Sequence, residues 1–447
     1  QTQGWRRMTS LDRHQTPKTR PMPQNRTALV ASLDIGTSKI ACLIARLKPC
    51  APNEALRGRT HAAELIGYSH IQSRGVKAGA VVDMTECEQA VRHAVALAER
   101  MAKVRVESVL LSVSAGRLQG QLVEASSDIR GGSVAPEDVV RITSTGMHHA
   151  TAQGRTVLHA LPVGYALDGV KGIRDPRGMV ARQFGVDMNV VTSDATVAKN
   201  LMLVVERCHL NVEAMVASPY AAGLSVLTDD EVDLGAAVVE MGAGTTTMAI
   251  YSGGRFVHAS GFAVGGQHVT MDLARGLGAC IADAERIKTL YGTVLTGGSD
   301  ARELMSVPTA GEDEQDFPQV VSRATIANIV RQRVEEIFEM VRDRLKDSPF
   351  AAEPRARVVL SGGASQLIGV PELASRILGR SVRIGRPLGF GRLPSEAKGA
   401  PFAVPSGLLV YPQYAHLEYV EPRHARPLKT GTSGYFGKVG QWLREGF

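Results

Sequence analysis

Cysteine is scarce and dispersed: Cys42, Cys50, Cys87, Cys208 and Cys280 make an odd count with no Cys-x-x-Cys spacing. That excludes a disulfide framework and a paired-cysteine zinc site, and makes a reducing cytoplasm the expected compartment. Long apolar runs are missing too. Stretches such as "LMLVV" (Leu201 to Val205) are strand-sized, so no transmembrane helix is expected. The residues up to Arg26 are rich in Gln, Arg, Thr and Pro without a continuous apolar stretch, which reads as a disordered arm rather than a signal peptide. Tryptophan occurs only twice, yet one of the two, Trp442, stands near the C-terminal end.

What is present is globular in composition, with 44% hydrophobic and 21% charged residues over 447 positions, enough for roughly two to four packed units. The net charge of +7 sits in the tails rather than the body. Residues 1–27 hold Arg6, Arg7, Arg13, Lys18, Arg20 and Arg26 against Asp12, and residues 413–447 hold five basic against three acidic side chains. Basic tails on a neutral body suit an anionic surface, whether lipid or nucleic acid, better than a dedicated DNA-reading face. No nucleic-acid partner is expected.

One local design occurs twice. "ALVASLDIGTSKIACLIARL" has two β-prone runs around Asp-Ile-Gly-Thr-Ser-Lys, and "AAVVEMGAGTTTMAIYSGG" repeats an apolar strand, an acid-x-Gly turn, hydroxyl residues and a second strand. The repetition about half a chain apart predicts an internally duplicated, two-lobed α/β protein. Backbone N–H groups in such Gly-rich turns approach phosphate oxygens closely, and hydroxyls add donors. Gly36, Thr37, Ser38 and Lys39 are one candidate cradle, and Gly242, Gly244, Thr245 and Thr246 the other. Asp34 and Glu240, at the strand ends, are candidates to hold Mg²⁺ through water. "SGGASQLIGV" adds Gly362 and Gly363, with Ala364 beside them, where a bare backbone lets a flat base or ribose lie close, and "ADAERIKTLYG" puts Glu285 and Lys288 at i, i+3 for ribose hydroxyls and base edges. Residues 322–348 form the strongest helix pattern, with Ser322 as N-cap and one stripe of Ile326, Ile329, Val330, Val334, Ile337, Val341 and Leu345.

Together these motifs resemble the actin and heat-shock-chaperone ATPase superfamily. Within it, "SRGVKAGAVVDM", "TSDATVAKNL", "VASPYAAGLSVL", "RVEEIFEMVRDRL" and "SVRIGRP" resemble the FtsA family of bacterial cell-division proteins, from about Leu29 to Phe447. The resemblance implies an actin-like, ribonuclease H-like duplicated fold with an FtsA-type inserted subdomain and a C-terminal amphipathic helix. Its divisions are a disordered basic arm (1–27), subdomain 1A with the first hairpin (28–115 and 193–231) and the inserted subdomain 1C (116–192). They continue with subdomain 2A with the second hairpin and adenosine motif (232–267 and 355–412), subdomain 2B (268–354), a linker (413–432) and a membrane-targeting helix (433–447). The family binds ATP with Mg²⁺ between its lobes, polymerises into actin-like protofilaments, binds the FtsZ C-terminal peptide through 2B and helps recruit later divisome proteins. It acts on the cytoplasmic face of the inner membrane at the division septum.

This chain departs from the pattern in carrying Glu240 where Asp is usual, Ala243 where Gly is common and Ser218 where an acid or amide often orients the attacking water. Tight ATP binding with slow or negligible hydrolysis is therefore expected. In the final segment Phe436, Val439, Trp442 and Leu443 form an apolar stripe with Tyr435 beside it, Lys438 and Arg444 on its flanks and Phe447 at the end. It is too short to span a bilayer and should lie in the interface against anionic lipid. Gly437, Gly440 and Gly446 weaken the helix in water, so a single anchor is expected to hold only when many are linked. Two alternatives share the superfamily fold: a pilus-type membrane-associated scaffold, and a small-molecule kinase.

Overall fold

The computed structural model describes residues 15–420 except 20, 24, 51–55, 57, 116, 130, 296, 298–301, 308–318 and 354. The first hairpin is built from near-continuous buried runs, as strands covered on both faces are. β1 (Ala28–Ile35) and β2 (Lys39–Pro49) pair antiparallel, and β3 (His61–Gln72) extends the sheet. The two-residue strands β4 (Val76–Lys77) and β5 (Ala80–Val81) lead into α1 (Met84–Ala102). Asp83 caps this helix by accepting from Glu86 N, and its stripe of Cys87, Ala90, Val91, Ala94, Val95 and Ala98 is buried. β6 (Ser108–Val113) returns parallel to β1.

An insertion follows: β7 (Gln119–Asp128), α2 (Pro136–Ala150), β8 (Arg155–Leu167), β9 (Val170–Ile173) and β10 (Gln183–Asp194). It has its own core around Ile142, Met147, Phe184 and Met188. α3 (Ala195–Arg207), capped by Asp194, returns the chain to the first sheet through β11 (Asn211–Ala217). α4 (Ser218–Val226) and α5 (Asp229–Leu234) cross to the second half.

There β12 (Ala236–Met241), β13 (Thr246–Ser252) and β14 (Arg255–Phe262) form an antiparallel run. α6 (Gly266–Leu277), α7 (Ile281–Tyr291), the pair β15 (Leu304–Val307) and β16 (Gln319–Ser322), and α8 (Arg323–Lys346) follow. Ser322 caps α8 as expected, and its buried stripe adds Ala327 and Phe338, while Ile329 is only half-buried. β17 (Arg357–Ser361), α9 (Val370–Leu378), β18 (Val382–Ile384), β19 (Phe390–Gly391) and α10 (Ala403–Val410) complete the described body.

The strand orders locate the site. The first sheet runs β11-β6-β1-β2-β3-β19, and the second contains β18-β17-β12-β13-β14, continued by β7-β10-β8-β9 of the insertion. Each half thus places a hairpin beside parallel strands in the same sequence of neighbours, and the turns that follow the carboxyl ends of β1 and β12 lie against each other. Ligands bind at such ends in open α/β sheets. Among the described residues no helix is long and apolar enough to cross a membrane, and all five cysteines are free.

Two expected boundaries are corrected. The arm does not run to residue 27 without structure: Gln15 and Thr16 are buried, Gln15 bridges Val157 of β8, and Lys18 pairs with Glu418. Those residues are polar, so composition gave no sign of docking; partners on distant elements hold them. The linker likewise does not start at 413, because Gln413, Ala415 and Glu418 are buried. The amphipathic segment 433–447 lies outside the described residues.

Candidate functional site

The two hairpins meet. A Cβ added at Gly244 would lie 2.4 Å from Thr37 Oγ1 and 2.9 Å from Ala78 Cα, so the tips of the two turns abut and only glycine fits there. Gly36 N donates to Lys39 O at 3.0 Å and Gly242 N to Thr245 O at 2.9 Å, so both turns close on themselves in the same way.

Three charged groups gather behind these turns. Asp34, at the end of β1, accepts from Ser112 Oγ at 2.6 Å. Glu240 is buried in β12 and accepts from Thr247 Oγ1 at 3.0 Å. Lys39 opens β2; its ammonium donates to Pro401 O and lies 3.9 Å above the Phe402 ring. Burial pushes the Glu240 carboxyl up to about 7, with the neighbouring Asp34 charge adding to the shift and Thr247 and Lys39 opposing it. Burial also raises Asp34, against Ser112 and Lys39. It lowers Lys39 to about 8, against the pull of both acids.

The remaining candidates fall in two groups. Thr37 Oγ1 accepts from Gly79 N at 2.9 Å, and Thr246 Oγ1 donates to Val264 O at 2.8 Å, so these hydroxyls brace the turns. Ser38 is exposed and Thr245 buried. On α7, Lys288 Nζ reaches Glu285 Oε2 at 2.6 Å, Thr270 Oγ1 at 2.9 Å and Gly266 O at 3.2 Å, which ties the Glu-x-x-Lys pair to the start of α6. Gly362 adopts φ +84°, and its backbone passes so close to Met241 O that a Cβ would sit 2.4 Å away. Gly363 borders open space, while a Cβ at Gly266 would lie 2.9 Å from Ala364 Cβ. The structure therefore brings the second hairpin, the Gly362–Ala364 turn and the Glu285–Lys288 pair to one wall. Gly265 and Gly266 complete that wall and were missed in the sequence; the signal was a Gly-Gly pair between a strand and an apolar-periodic helix.

The donor set suits a Mg²⁺-bound phosphate chain. Two carboxylates, hydroxyls and glycine backbone are hard oxygen and N–H partners. The buried hydroxyls of Ser218, at the start of α4, and Ser361, opposite Glu240 on β17, have no hydrogen-bond partner. No group of three or more His, Cys, Asp or Glu side chains able to hold a metal occurs among the described residues, so Mg²⁺ here would depend on water and phosphate for most of its shell.

Two sheets with one strand order, their hairpins abutting over an Asp-Lys-Glu cluster, define an actin-like α/β protein with an inserted subdomain. Solved structures of the same fold include the PilM-PilN type IV pilus biogenesis complex, with TM-score 0.59 and 16% identity over 86% of this chain and 98% of that one. MreB5 of Spiroplasma citri bound to ADP gives TM-score 0.51 and 14% identity over 87% and 97%. The family is settled by sequence. The model for cell division protein FtsA matches residues 237–407, and that for the SHS2 domain inserted in FtsA matches 115–192. Cell division protein FtsA of Rhizobium meliloti (strain 1021) is 47% identical over 431 residues, covering 96% of this chain and 98% of the relative. The chain belongs to the FtsA family, the actin-like, ATP-binding cell-division proteins.

Proposed function

We propose that this chain clamps Mg²⁺-ATP between its two hairpins, assembles with copies of itself on the cytoplasmic face of the inner membrane at the septum, and ties FtsZ to that membrane while helping to recruit later divisome proteins. The observation that carries the reading is the Asp34, Lys39 and Glu240 cluster behind abutting glycine turns in two sheets of matching order. That match supports an internally duplicated, two-lobed body.

In this reading the N–H groups of Gly36 to Lys39 and of Gly242 to Thr246 hold phosphate oxygens, and Lys39 turns from Pro401 toward them. Asp34 and Glu240 hold the ion through water; Mg²⁺ supplies positive charge that offsets the phosphates. Gly265, Gly266, Gly362, Gly363 and Ala364 receive the adenosine, with Lys288 and Glu285 at ribose and base edge. Ser218 offers a hydroxyl but no base, so purified protein is expected to turn ATP over slowly or not at all. Phosphate release that is fast and abolished by Lys39→Ala would contradict this. Subdomain 2B, about 268–354, takes the FtsZ C-terminal peptide, and 433–447 the lipid.

The test is co-sedimentation with anionic vesicles in the presence of ATP. The full chain is expected to carry FtsZ into the pellet, and Trp442→Glu to leave both proteins in the supernatant with at least about a tenfold loss, since a buried aromatic is replaced by a charge. FtsZ lacking its C-terminal peptide should stay behind. Equal pelleting of FtsZ by the two forms would refute the anchor. Identity to FtsA relatives, against the 16% that shows only fold for the pilus complex, favours FtsZ over a pilus peptide.

A further inference from the structure

The amino-terminal end of β17 carries a small apolar hole with a cationic rim. β17 starts at Arg357 and pairs parallel to β12, whose last residue, Met241, leads into the second phosphate turn. The hole therefore opens at the end of that sheet away from the phosphate turns. It has a volume of about 200 Å³ and lies between the last turns of α8, the short turn Pro349–Ala352 and the end of α9. Leu345, Phe350, Ala351 and Leu378 form its apolar surface, with Phe350 2% and Leu345 6% exposed. Arg342, Lys346 and Arg380 stand around it.

These charges reach the rim from two separate elements. Arg342 and Lys346 stand four residues apart on α8 and so share one face of its last turns. A basic last turn suits the helix dipole, which accounts for Lys346 without any partner. It does not account for Arg380, which follows α9 just after the left-handed Gly379 that ends that helix. The Arg380 guanidinium carbon lies 5.0 Å from the centre of the Phe350 ring, and Nη1 donates to Glu353 O. That side chain is fixed before any partner arrives, so docking costs it little further entropy. Among the described residues the only acid paired with the three is Asp343, 3.3 Å from Arg342 and 3.9 Å from Lys346. Three cations against one acid leave a repulsion that a negatively charged partner removes.

Size selects the kind of partner. Cofactor and drug-like sites span about 300 to 1,000 Å³, so a hole this small holds one large side chain rather than a whole ligand. An apolar anchor in a desolvated hole, ringed by polar groups, is how interfaces concentrate their binding energy. We propose that this hole is a second peptide site, distinct from the one that holds FtsZ, and that it docks an acidic segment of a partner protein. One Leu- or Phe-sized side chain enters against Phe350, Leu345 and Leu378, and carboxylates on either side of it pair with Arg342, Lys346 and Arg380. Residues 342–351 fall in the stretch assigned above to FtsZ binding, so the FtsZ C-terminal peptide is one arm of the test. The nucleotide and membrane readings are not involved.

The test uses the full chain and end-blocked fluorescent peptides with one Phe or Leu between two pairs of Asp or Glu, read by anisotropy. Saturable binding is expected, weaker by at least about tenfold in Ala351→Trp, which fills the hole from its exposed wall. Arg342→Gln with Lys346→Gln should weaken it about 3- to 10-fold. Raising salt from about 0.1 to 1 M, which shortens screening from about 10 to 3 Å, should weaken the parent similarly and the double variant less. Both variants should melt with the parent, since neither replaces a buried side chain, and the double variant serves alone if the tryptophan disturbs the fold. Peptides with Lys for the acids, or Ala for the anchor, should bind at least about tenfold more weakly. No saturation by about 1 mM acidic peptide, or equal binding of the Lys and Ala peptides, would overturn the proposal. So would displacement of the acidic peptide by the FtsZ C-terminal peptide, which would make the hole part of the FtsZ contact. Acidic-peptide binding lost in Ala351→Trp while FtsZ still binds that variant supports two sites. If the acidic peptide does not bind and Ala351→Trp stops ATP-dependent self-assembly, the occupant is a second copy of this chain and the proposal falls.

Discussion

Gly407→Ala is expected to cost about 3 kcal/mol or more of stability, because the added carbon has nowhere to go. A Cβ at Gly407 would lie 1.6 Å from Ala221 O and 2.3 Å from Ala221 C, both backbone atoms of the facing helix α4. No rotamer relieves a clash between a Cβ and a main chain, so α10 and α4 must separate. α4 packs on β11 of the first sheet and on β12 and β13 of the second, and α10 packs on β1, β2 and β6. Separating them shifts one sheet against the other and moves Phe402, the residue before α10 over which Lys39 rests. Thermal unfolding should show a large drop in Tm or loss of soluble protein, with weakened ATP binding in whatever folds. Gly164→Ala is the control: it borders open space, and its stability should stay within about 0.5 kcal/mol of the parent. A Gly407→Ala protein that melts with the parent would mean that α4 and α10 do not cross at this glycine.

The features legible in the sequence are those with a local period. The hairpins announce themselves by paired apolar runs around Gly-rich turns, and α8 by its cap and stripe. Their repetition was enough to place Asp34 and Glu240 in equivalent positions. What escaped is held by contacts far apart in the chain: Lys18 meets Glu418 across 400 positions, and Lys39 meets Pro401 across 362. No window of sequence contains both partners. Gly265 and Gly266 escaped for another reason, since a Gly-Gly pair before a helix is equally an ordinary turn; only the approach of Gly266 to Ala364 marks it as part of the wall. The hydroxyls of Thr37 and Thr246 show a further limit. Their residue type suits phosphate, yet no local window shows that Thr37 also accepts from Gly79, keeping its own O–H to donate, while Thr246 donates to Val264.

Affinity for Mg²⁺-ATP is expected to follow a bell-shaped pH profile with its maximum between about 7 and 8, set by the longer acid at position 240 and by Lys39. Glu240 without ligand titrates at about 7, so below that pH the ion must displace a proton from it, and affinity should rise up to about tenfold per pH unit as the pH approaches 7. Lys39 loses its charge at about 8, so above that pH the phosphates lose a cationic partner and affinity falls. Glu240→Gln should flatten the acid limb and Lys39→Met the alkaline one, the latter with a further loss of about 10- to 100-fold from removal of a charge-assisted hydrogen bond. The stability of the nucleotide-free protein carries the opposite sign on the acid side. The folded-state carboxyl of Glu240 is raised from 4.5 to about 7, so its contribution is fully present below 4.5 and lost as pH rises through 7. Nucleotide titrations from pH 6 to 9 on the parent and both variants decide the matter. A flat profile in the parent, or an acid limb that survives in Glu240→Gln, would show that Glu240 is not the group that yields its proton to the ion.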